Sequence, residues 1–376
     1  MKSSFLPQFV QKCLKNLRDT GFEAYPVGGC VRDLCLGRPP GDWDVATSAL
    51  PEAVRALFPR TAPTGIAHGT VTVLFQSGKI EVTTFRRDGT YLDGRHPDTV
   101  TFDAGLFEDL SRRDFTINAM ALGPDGAVID PFGGMEDLKK KLIRCVGDPA
   151  SRFSEDALRM LRAVRFSAQL GFSIEPETAA AIRLLAPLAA KVSAERVRVE
   201  VEKTLCSPHP SQGERFFSFG LFPGVKPPDL KGLELVRNIP RYRWAALCRA
   251  LGSADLLQAL KPDKRTLGAC RGALAILAEA PVKNWIKMLS RYGPEACETA
   301  AAVLGDGSLS ALLAGNPCYR TDQLALTGRD LVDLGLHDEQ IGQAQHALLA
   351  YVLEHPRDNR KEILLGLLRE GGEKSF

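Results

Sequence analysis

Three carboxylates and a pair of glycines within the first hundred residues carry the sharpest chemistry. Gly28 and Gly29 open the run Gly28-Gly29-Cys30-Val31-Arg32-Asp33, and Asp42-Trp43-Asp44 follows closely. Two glycines between a predicted strand and a predicted helix let backbone N–H groups close on a phosphate at the positive helix end, and Arg32 in the first turn adds charge. A plain tight turn is the other use of such a pair. Neither Gly-x-Gly-x-x-Gly nor a Gly-Lys-Ser/Thr loop is present, so this is not a dinucleotide fingerprint or a Walker loop. Asp42 and Asp44, at i and i+2 of a predicted strand, project from one face, as the ligands of a two-metal site do. Two Mg²⁺ ions about 4 Å apart would activate an attacking hydroxyl and stabilise a leaving pyrophosphate. Mg²⁺ takes such hard oxygen ligands. Glu81 lies in the otherwise apolar and β-branched run Ile80 to Phe85. Facing inward it would need a partner, which a shared cation supplies; facing outward it is an ordinary strand residue.

Further along comes Arg112-Arg113-Asp114-Phe115-Thr116-Ile117-Asn118. Two arginines suit phosphate, and Asp114 and Asn118 suit a ribose 2′-hydroxyl; an N-cap at Asp114 beside a surface arginine pair is the alternative. Arg152 to Phe166 reads as one helix with Ser154 as N-cap, Glu155 and Asp156 in its first turn, and Arg159, Arg162 and Arg165 as a drifting stripe. Capping and ion pairing along the helix account for the acids and Arg159, while three arginines pointing one way ask for an anion. Between Lys139 and Arg165 eight basic residues stand against three acidic ones, a candidate phosphate surface or a solvated helix face.

The elements that must position these groups are mixed at first. Helical spacing covers residues 8–20, strands are predicted at Tyr25–Val27 and Trp43–Ala46, and a helix at Val31–Leu36. The β-branched runs Thr70–Phe75 and Lys79–Phe85 flank the Ser77-Gly78 turn and predict a hairpin. Beyond about residue 150 strand signals stop and Ala- and Leu-rich helical patterns take over. The fold class is therefore α+β, a mixed α/β head followed by an all-helical remainder, with joints expected near 148, 212 and 305. A chain of 376 residues exceeds one hydrophobic core, and 44% hydrophobic with 25% charged residues excludes disordered and collagen-like classes. Apolar stretches such as Leu184–Ala190 fall far short of the roughly 20 residues of a membrane span, so no membrane is expected. Met1–Pro7 carries no apolar signal core, and nine cysteines without Cys-x-x-Cys suit reduced thiols. A cytoplasmic setting is expected, without disulfides or zinc.

Taken in order, the motifs resemble those of the bacterial class II tRNA nucleotidyltransferases (CCA-adding enzymes), which share a superfamily with bacterial poly(A) polymerases. The matching residues are Gly28-Gly29 to Asp33 with Asp42 and Asp44, Glu81 to Arg86, Arg112 to Thr116 with Asn118-Ala119, Asp130-Pro131 with Gly133 and Asp137-Leu138, and Glu155-Asp156 with Arg159, Arg162 and Arg165. They run colinearly over about 140 residues; near the end only Leu326 to Leu331 adds to them. The resemblance implies a nucleotidyltransferase head (1–148), a neck with a base-reading helix (149–212), a body (213–305) and a tRNA-binding tail (306–376). It implies Mg²⁺ on Asp42 and Asp44, the triphosphate at Gly28, Gly29 and Arg32, and Arg113, Asp114 and Asn118 near phosphate and ribose. Asp156 and Arg159 would read the base, with Glu155 beside them and Arg162 and Arg165 in support. Cytosine and adenine both present an amino donor next to a ring-nitrogen acceptor, so a carboxylate beside a guanidinium accepts CTP and ATP and rejects UTP and GTP. The implied reaction is template-independent addition of CCA to tRNA from CTP and ATP, with no protein partner required. A poly(A) polymerase, an enzyme adding only CC or only A, and an inactive RNA-binding scaffold are the alternatives. The polar segment Asp88 to Pro97, within 87–103, is expected to act as the lever that switches the pocket from C to A. His337-Asp338 lacks the upstream histidine that an HD phosphohydrolase site needs.

Overall fold

The computed structural model describes residues 6–89 and 99–371. The expected lever falls largely on residues 90–98, outside the described residues; at its base β6 (Arg87–Asp88) pairs antiparallel with β7 (Val100–Thr101). Two compact units divide the chain, residues 1–229 and 230–376.

The first unit is built on a five-stranded sheet of β1 (Ala24–Pro26), β2 (Asp44–Thr47), β3 (Thr61–Gly65), β4 (Thr70–Phe75) and β5 (Gly78–Thr84), ordered β1-β2-β5-β4-β3. β2 and β5 run parallel, and the other pairings are antiparallel. Alternation along these strands decides what each face does. Val45, Val71, Val73, Ile80 and Val82 are almost wholly buried and share one face, because directly paired residues point the same way. The opposite face carries Asp44 next to Glu81, Glu81 next to Thr72, and Thr83 next to Thr70. That face is the polar one.

Around the sheet lie α1 (Gln8–Asp19), α2 (Gly29–Cys35), α3 (Pro51–Leu57) and α4 (Leu106–Ser111). α1 turns Val10, Cys13, Leu14 and Leu17 inward at the spacing the sequence predicts. Next come the hairpin of β8 (Ala121–Leu122) and β9 (Val128–Ile129), α5 (Gly134–Lys140), and β10 (Leu142–Ile143), which pairs parallel with β11 (Ser173–Ile174). β11 corrects the expectation that strands end near residue 150. The remaining helices of this unit are α6 (Pro149–Glu155), α7 (Leu158–Leu170), α8 (Pro176–Leu185), α9 (Ala194–Leu205) and α10 (Arg215–Ser218).

The second unit is helical throughout its described residues: α11 (Pro240–Leu251), α12 (Asp255–Ala259), α13 (Lys264–Ala278), α14 (Trp285–Leu304), α15 (Ser308–Ala314), α16 (Gly328–Asp333), α17 (Glu339–Glu354) and α18 (Lys361–Gly371), with short 3₁₀ turns between them. Leu326, Leu331, Val352 and Leu364 are fully buried in one apolar cluster near its end. Among the described residues no helix is long and apolar enough to cross a membrane, and all nine cysteines are free thiols.

Candidate active site

Gly28 takes φ 77°, ψ −135°, a conformation open to glycine at little cost. A side chain there is excluded twice over, since a Cβ would stand 2.8 Å from Arg113 Nη1. This turn feeds α2, whose Arg32 donates through Nη1 to Asn118 Oδ1 at 2.8 Å and pairs with Asp33. Asn118 Nδ2 donates in turn to Asp114 Oδ1 at 3.1 Å, and Arg162 Nε donates to Asp114 Oδ2 at 2.7 Å. A continuous chain, Arg32 to Asn118 to Asp114 to Arg162, thus joins the glycine turn to α7. Burial pushes the Asp114 carboxyl up, but the Arg162 charge and the bonds from Asn118, Arg162 and the Phe115 amide hold it down at about 2. Asp114 is therefore a buried anion. It begins no α-helix: residues 116–118 form a single 3₁₀ turn.

That turn is fixed from behind by the Asp130 and Asp137 motif. Asp130 accepts from the Gly134 and Met135 amides, and Asp137 accepts from Thr116 Oγ1 at 2.7 Å while pairing with Arg144. Arg112 and Arg113 are no loose surface pair. Both bind Asp109, fully buried on α4, at 2.6 and 3.1 Å. Burial acts against the Asp109 charge, yet the two guanidinium groups hold its carboxyl below the usual range.

Arg152 to Phe166 is two helices, not one. Asp148, not Ser154, caps the first, accepting from the Ser151 amide. At Asp156 the backbone leaves the helix (φ −144°, ψ 103°), and its carboxylate caps the second by accepting from the Leu158 amide. Asp156 Oδ2 then pairs with Arg196 of α9 at 2.9 Å. The anions that the arginine stripe asks for are supplied within the chain: Glu155 for Arg159 at 2.6 Å, Asp114 for Arg162 and Glu200 for Arg165. Arg159 also donates to the carbonyls of Arg152 and Arg112. Arg32, Arg162 and Arg165 gather about one ring, Phe166, with guanidinium carbons 5.4, 5.3 and 4.0 Å from its centroid.

These groups enclose a cavity of about 590 Å³. Its lining includes Gly28, Gly29, Arg32, Asp42 and Asp44 from the glycine turn and β2, Arg113, Asp114 and Asn118 from the segment before the hairpin, and Asp156, Arg159, Arg162 and Arg165. Glu81 and Glu155 do not line it. Glu81 is exposed, beside Asp44 by strand register, and Glu155 acts on Arg159 from behind. Arg196 and Phe166 also line the cavity and were not singled out from the sequence. The partner of Arg196 is 40 residues away, and Phe166 reads as one apolar residue of a helix.

Asp44 is mostly buried, and its carboxyl is pushed up to about 6, chiefly by burial, with Arg113 drawing it down and Glu81 and Asp42 adding to the rise. Crowded carboxylates of this kind gain from a cation. Among the described residues no group of three or more His, Cys, Asp and Glu converges as a metal cage. Two carboxylates opening on an arginine-lined cavity fit Mg²⁺, which is bound by one or two carboxylates together with substrate phosphates.

Residues 24–144 match the poly A polymerase head domain, and residues 171–231 the probable RNA and SrmB- binding site of polymerase A. The CCA-adding enzyme of Geobacillus stearothermophilus is 40% identical over 95% of both chains, and that of Limosilactobacillus fermentum 40% identical over 94% of both. Among solved structures, the Bacillus stearothermophilus CCA-adding enzyme in complex with CTP superposes with a TM-score of 0.86 at 36% identity, covering 100% of this chain and 99% of that one.

Proposed function

The chain belongs to the CCA-adding enzymes of the tRNA nucleotidyltransferase and poly(A) polymerase family, and from that premise we propose that it adds C, C and A to tRNA 3′ ends from CTP and ATP, without a template, releasing pyrophosphate. The observation that carries the reading is that one cavity is lined both by the paired aspartates and by a carboxylate and a guanidinium, Asp156 and Arg159. At each step the acceptor 3′-oxygen bonds to the α-phosphorus as the α–β bridge breaks, and pyrophosphate leaves with the electron pair. Arg32 and the amides of the Gly28-Gly29 turn meet the phosphates and the charge that builds on the leaving group. Asp114 and Asn118, fixed by Arg162 and Arg32, stand ready for the ribose hydroxyls. Asp42 and Asp44 would hold Mg²⁺, which when bound supplies charge stabilisation to the triphosphate; exposed Glu81 adds negative potential beside them.

Base choice falls to Asp156 and Arg159. Each Asp156 oxygen has one bond in place, to the Leu158 amide and to Arg196, and a carboxylate oxygen has room for another. The amino group of cytosine or adenine is the donor that completes it, whereas uracil or guanine would place a carbonyl against the carboxylate. The helical segments 149–212, 213–305 and 306–376 act as neck, body and tail, holding tRNA by phosphates and 2′-hydroxyls, so that affinity falls steeply with salt. The use of tRNA suits a cytoplasmic enzyme.

The test is to give the protein Mg²⁺ and tRNA lacking its last three, two or one nucleotides, with CTP, ATP or both, and to sequence the 3′ ends. CC from CTP alone, CCA from both, and nothing from UTP or GTP are expected. Runs of A, a stop at CC, or addition of A alone would replace this reading with one of its relatives.

A further inference from the structure

Among the described residues, Phe166 is the one aromatic side chain lining the nucleotide cavity, and only 6% of it is exposed. On α7 it stands four residues after Arg162 and one after Arg165, while Arg32 reaches it from α2. All three guanidinium carbons lie within the reach of a cation–π contact, with Arg165 closest at 4.0 Å from the ring centroid.

Each guanidinium has its own acid: Asp33 for Arg32 at 2.8 Å, Asp114 for Arg162 at 2.5 Å and Glu200 for Arg165 at 2.5 Å. These acids sit on α2, on the segment before β8 and on α9, so no one carboxylate sets the three cations relative to one another. The ring is a contact that all three share. Like charges brought this close repel, and the negative face of an aromatic ring offsets that repulsion. The ring is itself held: fully buried Phe115 meets it edge to face with centroids 5.7 Å apart. The Phe115 amide also donates to Asp114 Oδ1 at 2.8 Å, which ties the ring to the same buried anion as Arg162.

A guanidinium carries five N–H donors in one plane. Arg162 uses Nε and Nη2 on Asp114, and Arg165 uses Nε on Glu200 and Nη1 on Gln169. Donors beyond these bonds remain for the oxygens of a phosphate chain. An apolar residue needed only for its volume could be leucine; a ring adds a quadrupole, and three cations around it put that quadrupole to use.

Resting on the nucleotidyl-transfer reading, we propose that Phe166 is a positioning residue of the phosphate site, its ring holding Arg32, Arg162 and Arg165 as one cationic cluster that receives the triphosphate and then the departing pyrophosphate. It acts on the part that CTP and ATP have in common, so its effect is the same for both nucleotides and separate from base choice.

The experiment replaces Phe166 with phenylalanines carrying one, two or three ring fluorines, which keep the shape of the side chain and weaken the negative face in steps. Binding of pyrophosphate with Mg²⁺ is measured by calorimetry, and KM for CTP, ATP and tRNA by primer extension. The Kd for pyrophosphate and the KM for both nucleotides should rise stepwise, reaching about tenfold with three fluorines. Melting temperature, tRNA KM and the exclusion of UTP and GTP should stay unchanged. Phe166→Leu should weaken pyrophosphate binding at least as much as the trifluorinated ring. Affinity that is flat across the fluorine series would overturn the proposal, because volume alone would then explain the residue. A rise confined to one nucleotide, or a fall in melting temperature in step with affinity, would do the same. A wild-type protein that adds no nucleotide would overturn the functional reading by itself, while the pyrophosphate series would still decide whether the ring orders the arginines.

Discussion

Residues 6–229 and 230–371 place their charges in opposite ways. Around the nucleotide cavity carboxylates and guanidinium groups are buried and joined: Asp109 is fully inside, Asp114 nearly so, and Arg165 and Glu200 pair out of water. In the second unit ion pairs such as Arg320–Asp322 lie with both side chains about 60% exposed, and the deepest cluster is apolar. Arg243 is buried there too, held by the Glu234 carbonyl. A buried ion pair is weak evidence of stability, because desolvation offsets most of its attraction. A fold that gathers several around one cavity keeps them for what the cavity binds; the second unit has the economy of an ordinary helical scaffold.

Breaking the buried chain should do the most damage. Asp114→Asn leaves Arg162 without its anion and should cost about 3–5 kcal/mol of stability, together with loss of C and A addition, measured by urea unfolding and primer extension. The pH course follows from the depressed carboxyl. Its stabilisation is fully present above the ordinary carboxylate value near pH 4 and is lost as pH falls toward about 2. The gap between wild type and variant should therefore narrow over that interval.

The apolar cluster gives the matching test in the other unit. Leu364→Ala, at a fully buried position, should cost about 2–5 kcal/mol while leaving kcat at saturating tRNA unchanged. A smaller and more selective effect is expected at Arg196. Arg196→Gln releases one oxygen of Asp156, so discrimination against UTP and GTP should fall severalfold in competition assays with little change in melting temperature. At the bottom of the scale, Arg265→Gln removes an exposed partner of Glu295 on the second unit and should leave both melting temperature and turnover unchanged.

The same contrast explains what was legible in the sequence. The glycine turn, the Asp-x-Asp spacing and the α1 stripe depend on a few consecutive residues and a backbone period, so they could be read directly. The break at Asp156 could not: Arg152 and Arg159 stand seven residues apart, as two turns of an unbroken helix would set them, and only the carboxylate bonding to the Leu158 amide ends one helix and starts the next. Nor could Arg196, which sits among charged residues resembling any solvated helix and acquires its role across 40 positions. β11 is two residues long, too short to set a period. In the second unit the pattern near Leu326 proves local: Thr327 and Asp330 form a capping box that starts α16.

The central claim is that one set of carboxylates and arginines serves both nucleotides. It is tested most directly by single-turnover rates of Asp44→Asn, measured separately for CTP on tRNA lacking CCA and for ATP on tRNA ending in CC, with tRNA binding measured alongside. The account predicts that both rates fall together by about a thousandfold or more, as loss of several kcal/mol of transition-state stabilisation requires, while tRNA affinity is kept. Near-normal addition of either nucleotide by the variant would contradict it.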